Sequence, residues 1–237
     1  MKTPQGFTLV EMSIVLIIIG FLIGGMFAPL SMQMNQQKIR DTKKTLQTIK
    51  EALMGYAILN DRLPCPAKCY KYEDNNCFNN VYNIDYVGKE DTADTTNFCE
   101  QEGYLPWADL GTDKLDAWGH PFKYHIDKTF TAINIPNPPD TNDLMIQDNS
   151  SSTPNSLSFS NVIAIIYSCG KNGMPDATNR DDYASYSGAN CPIPSPLNAN
   201  DTYTQGFYVE NKFDDILVWL PKTILINQLV SAGKWPP

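Results

Sequence analysis

The chain has 237 residues, of which 42% are hydrophobic and 19% are charged, and its formal net charge is −8 at pH 7. This length is sufficient for a globular domain with its own hydrophobic core. Residues 61–237 contain 12 basic and 23 acidic residues, net −11. Because such a surface repels a phosphate backbone, the composition argues against nucleic-acid binding by this part of the chain.

An apolar segment begins directly after a short leader that ends at Gly6. Glu11 lies just inside it, and residues 12–37 contain no ionisable side chain. The stretch from Ile14 to Leu30 is close to the ~20 residues that a helix needs to cross ~30 Å of hydrocarbon. The sequence therefore predicts a membrane anchor. A secretory signal peptide is cleaved after its apolar stretch, whereas here the small residue suited to cleavage precedes it.

Residues 6–11, Gly-Phe-Thr-Leu-Val-Glu, closely resemble the prepilin cleavage motif of type IV pilins and type II secretion pseudopilins. The resemblance implies that a prepilin peptidase cuts after Gly6 and methylates the new amino terminus at Phe7. It also implies that Glu11 pairs with the amino terminus of a neighbouring subunit during assembly. The alternative is that Glu11 lies in the headgroup layer of an ordinary signal anchor and pairs with nothing. The glycine, the aromatic residue and the glutamate at these spacings favour the prepilin interpretation.

The signals for membrane orientation disagree. Lys2 is the only basic residue before the anchor, and four basic residues follow it closely, which by the Lys and Arg count places the body in the cytoplasm. These four are Lys38, Arg40, Lys43 and Lys44. The body also carries all six cysteines, which favours an oxidising compartment. The resemblance implies a cytoplasmic leader, a single pass through the inner membrane, a periplasmic head and incorporation into a filament. The implied partners are prepilin peptidase, other pilin or pseudopilin subunits and an inner-membrane assembly platform.

Beyond the anchor, apolar residues recur at spacings of seven, three, four and three, which predicts the buried face of a helix that continues to Asn60. These residues are Ile39, Leu46, Ile49, Leu53 and Tyr56. The chain therefore divides into a leader at 1–6, the transmembrane half of a long helix at 7–30, its soluble half at 31–60 and a globular head at 61–237.

Frequent proline, asparagine and aspartate in the head predict turns and short strands. The alternation over 120–135, on either side of Asp127-Lys128, predicts a β-hairpin. The apolar run at 161–167 predicts a buried central strand, and Asn172-Gly173 predicts a turn after it. Ile216 to Leu220 reads as another strand.

The chain closes with a predicted short helix from Thr223 to Ala232. Its apolar face is formed by Ile224, Leu225 and Leu229, and Gly233 follows it.

Four segments of the head are similar in kind and order to those of minor pilins and pseudopilins. They are Leu63-Pro-Cys-Pro66, Gly103-Tyr-Leu-Pro-Trp107, Asp116-Ala-Trp-Gly-His-Pro-Phe122, and Cys169-Gly-Lys-Asn-Gly173 before Phe213-Asp-Asp-Ile-Leu-Val-Trp219. The resemblance implies an α+β, pilin-like fold with the long helix packed on an antiparallel sheet. The head is large for a major pilin, which favours a minor subunit. The four-cysteine insertion from Cys65 to Cys99 departs from the common pattern.

Six cysteines allow fifteen pairings, so connectivity does not follow from the sequence. Cys169 and Cys191 bracket a loop of turn residues, and closing a loop of that length stabilises by about 3 kcal/mol in the entropy model. The remaining four would then pair among themselves, namely Cys65, Cys69, Cys77 and Cys99. A four-thiolate zinc site is the competing interpretation, but the spacings lack the paired C-x₂₋₄-C knuckles of such sites.

Aspartates near the C-terminus supply the hard oxygen ligands that Ca²⁺ prefers. The candidate ligands are Asp176, Asp181, Asp182, Asp214 and Asp215. Major pseudopilins are similar in placing an acidic calcium loop in this region. The competing interpretation is that these are solvated turn residues, and no contiguous loop matches the EF-hand spacing.

No catalytic motif is present in the sequence, and His120 and His125 are its only histidines. Their five-residue offset directs them to opposite faces of a strand, which argues against a shared metal or proton relay. The sequence therefore predicts a structural filament subunit rather than an enzyme. The alternative is a membrane-anchored periplasmic binding or adhesion protein whose anchor only resembles that of a prepilin.

Overall fold

The computed structural model describes residues 6–67, 87–91, 99, 101–131, 144–148, 159–176, 179, 191, 202–209 and 212–235, with the side chains of 24–30 and 159–160 excepted. The chain forms two compact units, Met1–Arg40 and Asp41–Pro237. Helix α1, Leu9–Asn60, contributes residues to both.

The part of α1 in the second unit shows the predicted apolar stripe. Leu46, Ile49 and Leu53 are fully buried, as is Ala57 one turn later. The helix ends at Asn60, whose side-chain amide donates to the Tyr56 carbonyl at 2.9 Å. Asp61 then adopts a left-handed backbone conformation with φ of 56°. The 3.6-residue period thus predicts this helix and its end correctly.

Six strands of the described chain form one sheet, in the order β1-β2-β4-β3-β5 with β6 paired to β4. They are β1 Glu102–Tyr104, β2 Lys123–Ile126, β3 Leu144–Asp148, β4 Phe159–Ser168, β5 Thr202–Gln205 and β6 Ile216–Pro221. All pairs are antiparallel except β3 with β5, which is parallel. The fold is therefore α+β, an N-terminal helix followed by a mainly antiparallel sheet.

Strand β4 lies at the centre of the sheet, as its apolar sequence predicts. It pairs with β2, β3 and β6, and residues 162–167 are at most 1% exposed. The predicted turn follows it, with Gly170 and Gly173 both at positive φ. A Cβ on Gly173 would lie 2.7 Å from His120 Nε2, so the turn requires glycine at this position.

The predicted hairpin over 120–135 is wrong. Strand β2 forms, but β1 and β4 occupy its two edges, so neither edge is free for a strand that follows directly. Asp127 instead caps a 3₁₀ turn at Lys128–Phe130, accepting from the Thr129 amide at 2.9 Å. Residues 132–135 lie outside the described part of the chain.

A short helix, α2, lies at Trp107–Leu110, and the C-terminal helix α3 at Lys222–Ser231. In α3, Leu225 and Leu229 are buried, as expected, but Ile224 is 40% exposed. The apolar face of α3 is therefore narrower than predicted. Gly233 ends this helix at φ of 70°.

Candidate functional site

The start of α1 forms a reciprocal hydrogen-bonded cap. The Thr8 amide and hydroxyl each donate to Glu11 Oε2 at 2.8 Å, and the Glu11 amide donates back to the Thr8 hydroxyl at 3.3 Å. This is a capping box, in which a side chain at the N-cap and one three residues later satisfy the free amides of the first turn. The sequence analysis missed it, although Thr8-x-x-Glu11 is its signature.

The predicted cleavage position lies just before this cap. Gly6 and Phe7 precede the helix in irregular, exposed backbone, and the Phe7 side chain is 84% exposed. Apart from the two chain neighbours of Gly6, no described atom lies within 4 Å of the position that a Cβ on this residue would take. The Gly6–Phe7 bond therefore lies in exposed chain outside the helix, and cleavage there stays a prediction.

Beyond the cap, the apolar side chains from Leu9 to Ile23 are exposed. Between Leu9 and Ile23 their exposed fractions range from 44% to 88%. Within the described ranges, the combination of length and apolar character that crossing a membrane requires is found in none of the helices.

Three of the five predicted calcium ligands come together in the head. Carboxylate oxygens of Asp176, Asp214 and Asp215 lie within 4.8 Å of one another. Asp214 and Asp215 lead into β6, and Asp176 lies in the loop after β4. Asp181 and Asp182 lie outside the described residues.

Backbone amides hold these carboxylates in place. The Asp214 amide donates to Asp176 Oδ2 at 2.8 Å, and the Asp176 amide donates to Asp215 Oδ2 at 2.7 Å. The Asn172 amide, in the predicted turn, donates to Asp214 Oδ2 at 2.8 Å. Each of the two adjacent aspartates thus uses its Oδ2 atom in the protein framework.

The Oδ1 atoms of Asp214 and Asp215 are buried and have no hydrogen-bond partner among the described residues. Asp214 is 7% exposed and Asp215 is 5% exposed, so the solvated interpretation is wrong for both. Burial, together with the neighbouring Asp176 and against the hydrogen bond from the Asn172 amide, raises the pKa of Asp214 to about 6. Burial also raises the pKa of Asp215, with Asp176 and Asp214 adding to the effect. The cluster therefore favours bound protons or a cation over bare negative charge.

Asn179 joins this cluster, and the sequence analysis did not find it. Its amide nitrogen donates to Asp215 Oδ2 and to the Thr204 carbonyl, both at 2.9 Å. Its amide oxygen accepts from the Thr204 amide at 2.6 Å. Asn179 thereby connects the acidic cluster to β5. This is a long-range contact, and no local sequence pattern predicts it.

Two disulfides join cysteines within the described residues. Cys65 is bonded to Cys99 and Cys169 to Cys191, with Cα–Cα distances of 5.8 and 5.7 Å. The first bond removes Cys65 and Cys99 from any four-thiolate zinc site. Cys69 and Cys77 lie outside the described residues, so their pairing stays a prediction.

Ser168, Asp116 and His120 are near one another, but their arrangement differs from a catalytic triad. Ser168 Oγ donates to Asp116 Oδ2 at 2.5 Å, and His120 Nδ1 lies 2.9 Å from the Gly170 carbonyl, to which it must donate. In a triad the imidazole lies between the hydroxyl and the carboxylate, as the base for the nucleophile. Here the carboxylate contacts the serine directly, and the contact ties the segment before β2 to the end of β4.

Residues 1–27 match the family model described as the prokaryotic N-terminal methylation motif. No curated protein and no solved structure matches the chain. The chain therefore carries, within residues 1–27, the signature of type IV pilins and pseudopilins. Proteins with this motif are structural, and the motif implies prepilin peptidase processing, a membrane-anchored precursor and assembly with other pilin subunits.

Proposed function

We propose that the protein is a minor pilin or pseudopilin, a structural subunit of a type IV pilus or of a type II secretion pseudopilus. The observation that carries this proposal is the sequence from Gly6 to Glu11, inside the matched methylation motif. Prepilin peptidase cleaves after Gly6 and methylates Phe7. The size of the head favours a minor subunit.

Residues 7–30 anchor the precursor in the inner membrane, with the leader in the cytoplasm and the head in the periplasm. Support comes from residues 12–37, which contain no ionisable side chain, and from the exposed apolar side chains between Leu9 and Ile23. An inner-membrane assembly platform then receives the subunit. Glu11 pairs with the amino terminus of a neighbour as it docks.

Processing tests this proposal against the alternative of a membrane-anchored periplasmic binding or adhesion protein. Intact-mass analysis of membrane-extracted protein should show a chain that begins at methylated Phe7. Gly6→Val should leave the longer precursor, because a branched side chain obstructs the peptidase at the cut. Thr3→Val, which introduces the same side chain in the leader away from the cut, should be processed normally. A wild-type chain that still begins at Met1 would exclude the pilin proposal and leave the tethered binding protein.

We also propose that Asp176, Asp214 and Asp215 hold a calcium ion. Three carboxylates within 4.8 Å repel one another, and the two buried Oδ1 atoms have no hydrogen-bond donor among the described residues. A hard divalent cation supplies the missing positive charge and takes oxygen ligands of this kind. The ion would fix the start of β6 to the loop that follows β4.

Thermal unfolding of the full chain in detergent tests the calcium site. At pH 7.5, calcium at a hundredfold excess over its dissociation constant should stabilise the wild type by about 2.7 kcal/mol relative to EDTA. Asp215→Asn should abolish this gain, whereas Asp113→Asn, at an exposed aspartate, should keep it. In EDTA, Asp215→Asn should be more stable than wild type, because it removes a buried negative charge. Equal unfolding temperatures with calcium and EDTA would contradict the site.

The calcium effect also has a defined pH dependence. The folded-state pKa of Asp214 is raised to about 6 from 3.8, so in EDTA the stability contributed by this group is lost as the pH rises through that window. The gain from calcium should therefore be larger at pH 7.5 than at pH 5.

A further inference from the structure

The solvent face of α1 within the second unit forms a continuous row. Its members are spaced four, three, four and four residues apart, on the side of the helix opposite the buried Leu46, Ile49 and Leu53. They are Lys44, Thr48, Glu51, Gly55 and Leu59, all exposed. This set is called the outer row below.

Gly55 is the unexpected member of the outer row. Glycine is the least favourable helix residue after proline, and an exposed helix position normally carries a better helix former. Apart from its chain neighbours and the adjacent backbone of α1, no described atom lies within 4 Å of the position that a Cβ on Gly55 would take. Nothing in the described fold therefore requires glycine here. A missing side chain does allow the backbone of a second element to approach closely.

The ends of the outer row indicate what kind of surface could approach. Leu59, one turn after Gly55, is 80% exposed. At the other end, Lys43 and Lys44 are adjacent exposed cations, and neither forms an ion pair with a described residue. The row therefore offers the apolar Leu59 beside the notch left by the missing side chain of Gly55. Several turns away it offers the positive charge of Lys44, next to that of Lys43. A complementary surface is apolar at one end and acidic at the other.

We propose that the outer row docks the acidic head of a neighbouring filament subunit, with the backbone of that head entering the notch at Gly55. The proposal rests on the filament function proposed above, because the methylation motif implies assembly with other subunits. A second copy of this chain presents such a head, since residues 61–237 carry a net charge of −11. Lys43 and Lys44 attract that surface, and Leu59 buries its side chain against it.

Substitution at Gly55 separates docking from folding. Gly55→Ala and Gly55→Leu should unfold at the wild-type temperature or above, because both residues favour helix and the site has open space. Both should lower the amount of subunit in sheared filaments, and Gly55→Leu should lower it by about tenfold. Gln228→Leu, at an exposed position of α3, serves as the matched control and should assemble normally. Lys43→Glu with Lys44→Glu should also reduce incorporation, whereas Lys212→Glu should not.

A photo-reactive phenylalanine analogue in place of Thr48 identifies the occupant. Irradiated filaments should yield an adduct joined at this position to an acidic head segment of a chain with a methylated amino terminus. An adduct with lipid or with a protein that lacks this terminus would overturn the inference, as would normal incorporation of Gly55→Leu. In both cases the filament function stands if the wild type is processed and present in filaments. A wild type absent from filaments would overturn both proposals.

Discussion

His125 is a fully buried histidine that the fold keeps neutral. Its Nδ1 lies 2.7 Å from the Tyr203 hydroxyl and 3.8 Å from Glu102 Oε2, and its Nε2 is buried without a hydrogen-bond partner in the described part of the chain. Burial lowers the pKa of His125 to about 4 from 6.5. Lys123 and Tyr167 lie on the same face of the sheet by their strand registers. The imidazole is therefore held as a neutral partner for Tyr203 inside a polar cluster.

The neutral state of His125 predicts acid sensitivity. The unfolded chain binds a proton at this residue near pH 6.5, whereas the folded chain does not until about pH 4, so stability is lost as the pH falls through that window. Between pH 7 and pH 5 the loss should be about 2 kcal/mol, because one pKa unit corresponds to about 1.4 kcal/mol. His125→Asn should remove this loss in chemical denaturation at the two pH values.

The acidic cluster gains stability as the pH falls over the same range, which opposes the loss from His125. The loss of stability between the two pH values must therefore be compared between wild type and variant. Tyr203→Phe removes the hydroxyl but leaves His125 buried, so it should retain the wild-type loss. A His125→Asn protein that loses as much stability as wild type would show that another group carries the acid sensitivity.

At the scale of elements, Glu90 attaches the segment 87–91 to the end of α1. Its carboxylate accepts two hydrogen bonds from Arg62 at 2.7 Å, one from the Tyr56 hydroxyl at 2.8 Å and one from the Cys65 amide at 3.0 Å. Burial raises the pKa of Glu90, but the hydrogen bonds from Arg62, Cys65 and Tyr56 outweigh it and hold the pKa below its usual value. A single side chain thereby connects the helix, the Cys65–Cys99 disulfide and the cysteine-rich insertion.

Glu90→Gln should destabilise the head by about 2 kcal/mol, because it leaves the Arg62 guanidinium half-buried without its counter-charge. The urea midpoint at pH 7 measures the change. Lys89→Gln alters the charge of the adjacent, exposed residue and should leave the midpoint unaffected. Equal midpoints for Glu90→Gln and Lys89→Gln would mean that the network contributes no net stability.

Sequence reasoning predicted the elements whose pattern is local. Three patterns predict their structure from about twenty residues or fewer. They are the apolar period of α1, the apolar run of β4 and the Asn172-Gly173 turn. The hairpin after β2 was wrong because the partners of β2 lie on strands distant in the sequence. The parallel pairing of β3 with β5 was not predicted for the same reason, because these strands are also distant in the sequence. The acidic cluster was predicted in outline, but its burial and the contribution of Asn179 depend on tertiary contacts.

Under the proposed assembly mechanism, Glu11 serves two roles, the cap of α1 and the recognition of a neighbouring subunit. Its Oε2 atom caps α1 by accepting from the Thr8 amide and hydroxyl, while no hydrogen bond to Oε1 is found within the described chain. The carboxylate can therefore keep its cap and still accept the ammonium group of a neighbour through Oε1. In the proposed mechanism, the cap of α1 uses Oε2 of Glu11 and recognition between subunits uses Oε1.

Substitutions that change the cap and the charge of Glu11 separately test the assembly mechanism. Glu11→Ala should be inserted, cleaved and folded, yet fail to enter filaments, because breaking a buried ion pair costs about 3–5 kcal/mol. Glu11→Gln keeps an oxygen for the capping box but loses the charge, so it should fail in the same way. Thr8→Val removes the capping hydroxyl but keeps the charge, and it should assemble. Insertion, cleavage and incorporation into sheared filaments need separate measurement at equal expression. If Glu11→Gln assembles as well as wild type, Glu11 acts through its cap and not through an ion pair with the neighbouring amino terminus.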